Sequence, residues 1–567
     1  MGRFNRTVTI VVAALMIPTA LIAQRYDLLI TGGRVMDGTG NPWRYADVAL
    51  RGDRIVAVGN LSDASADRVI DARGKVVAPG FIDIHSHADG TNYGSRGLRS
   101  TDRKRRAAPN LVTQGITTVV VNQDGRSPPS IADQTAELER LGIGLNAVLL
   151  VGHGAVRRQV LGEDHERASA PAEIQRMRDL VRQAMLDGAW GMSAGLEYVP
   201  GRWSTTDEVV AMVEEIVPFG GVYISHERSE GADPMWYWPS QYAGRPPSLI
   251  DAVRETIEIG ERTGATVVAS HIKAKGANYW GTSAVVIRLI EEARQRGVSV
   301  YADQYPYNTT GSDGSTVLIP RWIVTSEQVG DDRDFSASLR TVLADDSLAT
   351  LLRADIAHEI QRRGGPENIL VMEYRRRGAV GKSLAELATA RDITPVDMAI
   401  VLQLEGDRRQ PGGGALRGFS LSEHDIEPYA AQEWTATATD GWVSLPEDGL
   451  THARVYGTFP RKIRRYALER GVLSVEAAVR SASSLPAAII GFADRGLVHE
   501  GYMADVVVFD LNEVRDNATF FEPHQYSSGI EYVIVGGKFA VDQGKPTGEL
   551  IGRVLTRDEA AKAATGG

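Results

Sequence analysis

The chain has 567 residues, 43% of them apolar and 24% charged, with a formal net charge of -10 and no cysteine. That length predicts more than one structural unit, and the ordinary apolar content excludes a disordered, fibrous or repeat protein. The acidic balance argues against a nucleic-acid partner, the missing thiols exclude disulfides and thiolate metal ligands, and the basic runs at 103–106 and 375–377 read as solvated faces.

In residues 1–23, Arg3 and Arg6 precede an apolar stretch at 8–23, which is the pattern of a signal peptide rather than a stable membrane span. It predicts cleavage after Ala23 and a bacterial protein that is periplasmic or secreted. Leu21 is large for a position three before the cut, so an uncleaved anchor is the alternative. From 24 to 78 the chain alternates in strand fashion with Gly and Asp turns, and the same texture returns at 488–555, in Val506-Val507-Val508-Phe509 and Tyr532-Val533-Ile534-Val535. The two end segments are expected to pair into one small β-sandwich, with 556–567 as a tail.

Between them, over 79–487, strand-like runs alternate with amphipathic helical stretches, the pattern of βα units and a parallel sheet. Strands are predicted to end at His87, Val121, Val151, Ser193, Ile224, Ala269, Tyr301 and Ala438. Eight such strands predict a closed (β/α)8 barrel of the TIM type, an α/β fold. The stretch 308–431 is too long for a simple connection and is expected to be a structured insertion lying over the active face as a lid.

Chemistry starts from the apolar run 76–84, which ends in His85-Ser86-His87. Alternate residues of a strand share a face, so two imidazoles converge at this strand end. Catalytic groups of such barrels sit where strands end, and metal-ligand residue types recur there: Asp124 after the second strand, His226 after the fifth, His271 after the sixth and Asp440 after the eighth. Singly, Asp440 could be a turn residue and Asp124 a cap; together with His-x-His they point to a metal site. His153, also at a strand end, reads as packing behind the ligands. The other histidines read as structural or exposed.

Here the chain resembles the amidohydrolase superfamily, and within it the N-acyl-D-amino-acid deacylase (D-aminoacylase) family, over nearly its whole length. The resemblance rests on Pro79-Gly80-Phe81-Ile82-Asp83-Ile84-His85-Ser86-His87, Gly195-Leu196-Glu197-Tyr198, Ser270-His271-Ile272-Lys273, Asp303-Gln304-Tyr305-Pro306-Tyr307, Asp440-Gly441 and Arg454-Val455-Tyr456-Gly457-Thr458-Phe459-Pro460-Arg461. It implies zinc-dependent hydrolysis of the amide of an N-acyl-D-amino acid, or of a dipeptide with a C-terminal D-residue. His85, His87 and Asp440 are implied as a first metal site, and His226 and His271 as ligands of a second. Asp124 stands where many relatives carry a cysteine, and because the fourth strand, around 192–197, has no lysine of the kind that bridges the metals in some other amidohydrolases, Asp124 is the leading bridge between two ions. One or two Zn2+ per chain are expected, with Mn2+ or Co2+ as substitutes. Asp440 is implied as general base and acid, Tyr198 as oxyanion donor, and Lys273, Tyr305 and Arg454 as the grip on the substrate carboxylate.

Two other readings stay open on the sequence. A different amidohydrolase chemistry on a cyclic amide is disfavoured because Arg454 and Lys273 suit a free carboxylate. A non-catalytic binding protein on the same fold is disfavoured because the ligand residue types all stand. The partner expected is a small molecule with a free carboxylate, and a homo-oligomer is compatible with all of this.

Overall fold

The computed structural model describes residues 25–90, 97–128, 130–310, 316–324 and 334–557. The expected leader at 1–23, residues 558–567 of the expected tail, and 311–315 and 325–333 of the expected insertion lie outside the described residues. Among the described residues no helix is long and apolar enough to cross a membrane.

The barrel strands are β1 (Phe81–Asp83), β2 (Ile116–Val121), β3 (Asn146–Leu149, resuming at Val151–Gly152), β4 (Gly191–Gly195), β5 (Val222–His226), β6 (Thr266–Ala269), β7 (Val300–Gln304) and β8 (Thr435–Thr437). Each pairs in parallel with the next. The ring closes between β8 and β1 just beyond both strand ends, where Ser86 and Gly441 form a parallel bridge. There the His87 N–H donates to the Gly441 carbonyl at 2.7 Å and the Asp440 N–H to the His85 carbonyl at 2.9 Å. Val120, Val148, Val222, Ile224 and Val268 pack as one cluster, while their neighbours Val119, Val121, Ala147, Tyr223 and Val267 belong to another. Period-two alternation thus sends successive side chains to opposite faces of a wall that is covered on both, which is why these strands read as unbroken apolar runs.

The chain ends meet in one sheet, where Val506–Phe509 lies antiparallel against Val76–Pro79, with Val507 opposite Ala78. Val77, Val506, Val508 and Ile534 pack into the core of this unit, with Leu28, Ile30 and Val48. The alternate residues Val76, Ala78, Val507 and Phe509 pack against the barrel core. Both faces are again buried, and the sheet is fixed to the barrel through one of them.

Two boundaries differ from the sequence expectation. Val554–Leu555 pairs in parallel with Ala147 and Val148 of β3, and the Leu555 carbonyl accepts the Trp190 indole N–H at 2.7 Å, so the far end of 488–555 belongs to the barrel rather than the sandwich. Two residues carry too little pattern to reveal this. The insertion, expected to run to 431, ends before helix Glu423–Ala430. That helix is a barrel element: Asp425 accepts the N–H of Ser283 at 3.0 Å and so caps helix Ser283–Gln295.

The insertion has its own core around Leu339, Leu352, Ile356, Ile369, Met398 and Leu416, and an antiparallel pair, Ile369–Glu373 with Ala415–Gly418. Two helices matter below, α1 (His153–Leu161) after β3 and α2 (Asp346–Arg362) in the insertion. From α2, Arg362 donates to the carbonyls of Pro234, Met235 and Tyr237, and Asp355 accepts from Ser240. The loop after β5 is thereby clamped under the insertion.

Candidate metal centre

His85, His87, Asp124, His226, His271 and Asp440 come together at the C-terminal face of the barrel, all buried. Asp124 lies at the middle. Its Oδ1 is 3.5 Å from His85 Nε2, 3.6 Å from His226 Nδ1 and 3.8 Å from His271 Nε2, while its Oδ2 is 3.5 Å from His87 Nε2. Asp440 Oδ1 lies 3.1 Å from His87 Nε2 and 3.8 Å from His85 Nε2. Asp124, His271 and Asp440 all have positive φ, 59°, 35° and 46°. Such backbone is unfavourable for non-glycine residues, most of all for a bulky one, and it persists where the surroundings impose it at functional sites.

Each imidazole is held by a second residue. His85 Nδ1 bonds the Ser270 hydroxyl, which donates to Asp303 Oδ2 at 2.7 Å; with the hydroxyl proton so committed, Nδ1–H is the donor and Nε2 keeps its lone pair. Glu197 Oε2 lies 3.1 Å from His226 Nε2, and its other oxygen accepts the Met235 N–H at 2.6 Å. His271 Nδ1 is 2.7 Å from Lys273 Nζ and 3.4 Å from Glu230 Oε1. Asp83 accepts the Thr439 N–H at 2.8 Å and fixes the turn that carries Asp440. Sequence reasoning missed Glu197, Glu230, Ser270 and Asp303; the signal available was that three of them sit in the same motifs as residues it chose.

Ligands held about 2.1 Å from a tetrahedral ion stand about 3.4 Å apart, and most of the separations above cluster there. His226 Nδ1 and His271 Nε2 are closer, at 2.8 Å, a hydrogen-bond distance that an ion would widen. His85 Nε2 and Asp124 Oδ1 are buried with no hydrogen-bond partner, a costly state for two polar atoms that a shared cation relieves. Burial holds the His85 imidazole well below its ordinary pKa, so it is neutral and able to ligate. Burial opposes ionisation of Asp440, yet Arg454 and the bond to His87 outweigh it and keep the carboxyl well below the usual range. Glu230 is a further oxygen near His226 and His271. Its charge is already matched by Lys273 and Lys275, so Asp124 is the better third donor for that pair. The residues fit a metal, and an imidazole and carboxylate set suits zinc, cobalt or manganese.

The expected substrate residues gather on one side. Arg454 Cζ lies 4.5 Å and Lys273 Nζ 5.4 Å from the centroid of the Tyr305 ring. Arg454 also pairs with Asp440 Oδ2 at 3.0 Å, which brings the residue expected to grip the carboxylate against the one expected to carry the proton. Lys273 is held in an ion pair by Glu230, so its charge is already matched. Tyr198 stands apart from this trio, its ring 4.2 Å from that of His226.

Residues 68–216 and 431–541 match the amidohydrolase family. The chain is 34% identical over 561 residues to a D-aminoacylase of Alcaligenes xylosoxydans xylosoxydans, covering 95% of this chain and 99% of the relative. It is also 34% identical to an N-acyl-D-glutamate deacylase of the same organism, covering 94% and 97%. A crystal structure of N-acyl-D-glutamate deacylase from Bordetella bronchiseptica, complexed with zinc and a phosphonate inhibitor, superposes with a TM-score of 0.70 at 30% identity, covering 94% of this chain and all of the other. With its ligand-type residues at the ends of a (β/α)8 barrel and its ends joined in a β-sandwich, the chain belongs to the amidohydrolase superfamily, in the D-aminoacylase family.

Proposed function

We propose that this chain is a zinc-dependent deacylase that hydrolyses the amide of N-acyl-D-amino acids. The observation that carries the reading is the Asp124 carboxylate set among four imidazoles, with His85 Nε2 buried and unbonded, beside the cationic edge around Tyr305. The D-preference rests on the relatives, which are a D-aminoacylase and N-acyl-D-glutamate deacylases.

His85, His87 and Asp440 would hold one ion, and His226, His271 and Asp124 a second. Zinc supplies a Lewis acid and lowers the pKa of a bound water to about 7. Asp440, kept ionised by Arg454, takes the proton of the attacking water and delivers it to the amide nitrogen, which must be protonated to leave. Tyr198 donates a hydrogen bond to the oxygen that gains charge at the carbonyl. The Arg454 fork, backed by Lys273 and Tyr305, holds the α-carboxylate; the same grip serves a dipeptide with a D-residue at its C-terminus. Export to the periplasm or beyond belongs to this reading and rests on the 1–23 leader.

The test is metal analysis of the purified protein followed by hydrolysis of paired N-acetyl-D- and N-acetyl-L-amino acids. One or two metals per chain with turnover confined to D-substrates is the expected result. A fully loaded protein that opens cyclic amides and leaves N-acetyl-D-amino acids intact would sink the proposal.

A further inference from the structure

We propose that the cavity on the β2–β4 side of the centre is the acyl-group subsite, and that it takes an acyl group ending in a carboxylate. The substrate class is then the monoamide of a dicarboxylic acid, an N-succinyl-D-amino acid being the simplest probe. The inference rests on the deacylase reading and extends it.

Direction comes first. The carboxylate grip follows β6, β7 and β8, whereas Asp124 and Tyr198 follow β2 and β4. The two substituents of an amide carbonyl leave it on opposite sides, so an amino acid anchored at β6–β8 points its acyl chain toward β2–β4. There the structure has a cavity of about 380 Å³, with Asp124 and Tyr198 in its wall.

The wall is kept thin by backbone contact. A Cβ on Gly195 would lie 2.3 Å from the Asp124 carbonyl oxygen, and one on Gly201 would lie 2.2 Å from that of Gly195. No side chain larger than hydrogen fits at either position, so these wall segments pack backbone against backbone. Val199 and Pro200 offer apolar surface for a short methylene chain.

Charge supplies the specificity. The charged residues lining the cavity are Arg126, Arg158 and Asp124, and Asp124 is turned to the imidazoles. Arg126 stacks over Tyr198 with its Cζ 5.0 Å from the ring centroid. Helix α1 presents Gly154 and Ala155, in its first turn, to the same wall, so the positive end of its dipole adds to the two guanidiniums. Glu208, on helix Thr206–Val213, is buried and bound by His153 and Arg157 of α1, which leaves its charge already matched. An anionic terminus suits this end of the cleft, and a purely apolar acyl chain would meet cations where it needs hydrocarbon.

The experiment compares kcat/KM for an N-succinyl-D-amino acid with its methyl ester, which has the same chain and no charge, and measures succinate binding by calorimetry. The free acid is expected to be favoured by about tenfold or more over the ester, with that ratio collapsing toward one in Arg158→Gln and partly restored in Arg158→Lys. Succinate affinity should fall by a similar factor in Arg158→Gln, a readout that does not need turnover. Equal kcat/KM for acid and ester, or succinate binding that ignores Arg158, overturns the assignment. If succinate binding depends on Arg158 while no N-acyl-D-amino acid is hydrolysed, the deacylase reading fails and the anion subsite stands.

Discussion

On the β6–β8 side of the active face the cations are already matched. Glu230 holds Lys273 and Lys275, Asp440 holds Arg454, and the Tyr305 ring lies between, buried to 3% exposure. On the β2–β4 side Gly125, Gly154, Gly195 and Gly201 form part of the wall, Arg126 and Arg158 are exposed, and the space is open. A network that pairs its own charges is pre-organised for one fixed ligand group, since little is reordered when that group arrives. An open, thin-walled cleft accepts a part of the substrate that varies between molecules. On the proposed reading the closed half holds the constant carboxylate and the open half the acyl chain, with the metal-type cluster on the line between them.

The sharpest break is at that line. Asp440→Asn keeps the size of the side chain but removes the proposed proton carrier, so kcat should fall by about a thousandfold or more while the fold and most of the metal are retained. Residual activity within about tenfold of wild type, a barrier change of about 1.4 kcal/mol, would take Asp440 out of the mechanism.

Asp124 faces both ligand sets, and its replacement should separate them. Wild-type protein should carry nearer two metals than one per chain, and after chelation should recover with Mn2+ or Co2+. Asp124→Ala should lower both metal content and activity, whereas Asp124→Cys should keep one tight zinc and lose the second ion. Wild-type metal content and turnover in Asp124→Ala would reduce Asp124 to a turn residue.

Within the closed half, Arg454→Ala should raise KM by roughly ten- to a hundredfold for substrates with a free α-carboxylate and much less for their carboxamides. Equal losses on both would move the grip elsewhere.

The smallest effect concerns stability. Arg454 begins a helix, Arg454–Arg461, that runs on into the π-helical segment Lys462–Glu469. Lys462 there is buried with no hydrogen-bond partner, and burial lowers its pKa from 10.5 to about 7. Between those values the unfolded chain binds the extra proton, so stability should fall as pH drops from about 10 to about 7 and the full cost applies below. Lys462→Met should remove that slope and raise stability at pH 7 by on the order of a few kcal/mol, read as a higher midpoint in thermal melts. An unchanged melt across this pH range would show that the amine finds water or a partner.

The barrel and the ligand residues were legible because both signals are local. Apolar runs ending in His or Asp are visible along the chain, and eight strand ends define a ring whatever the loops do. What escaped depends on partners distant in sequence. Glu197 gains its role only from His226, 29 residues on, and Asp303 from Ser270, 33 residues away. Glu423–Ala430 follows the insertion directly and carries Pro428 inside it, so nothing local marks it as a barrel helix. The pairing of Lys273 with Glu230 was equally hidden, since a lysine beside a carboxylate motif looks the same whether or not its charge is matched.

The clamp on the loop after β5 sets a rule for recombining this enzyme with its relatives. Arg362 and Asp355 of the insertion grip residues 234–240, and Met235 in that stretch holds Glu197 against His226. A chimaera that imports a foreign insertion to change selectivity also imports a new hand on that imidazole, with the barrel sequence untouched. Residues 231–242 and the insertion are one cassette for transplantation and should be exchanged together.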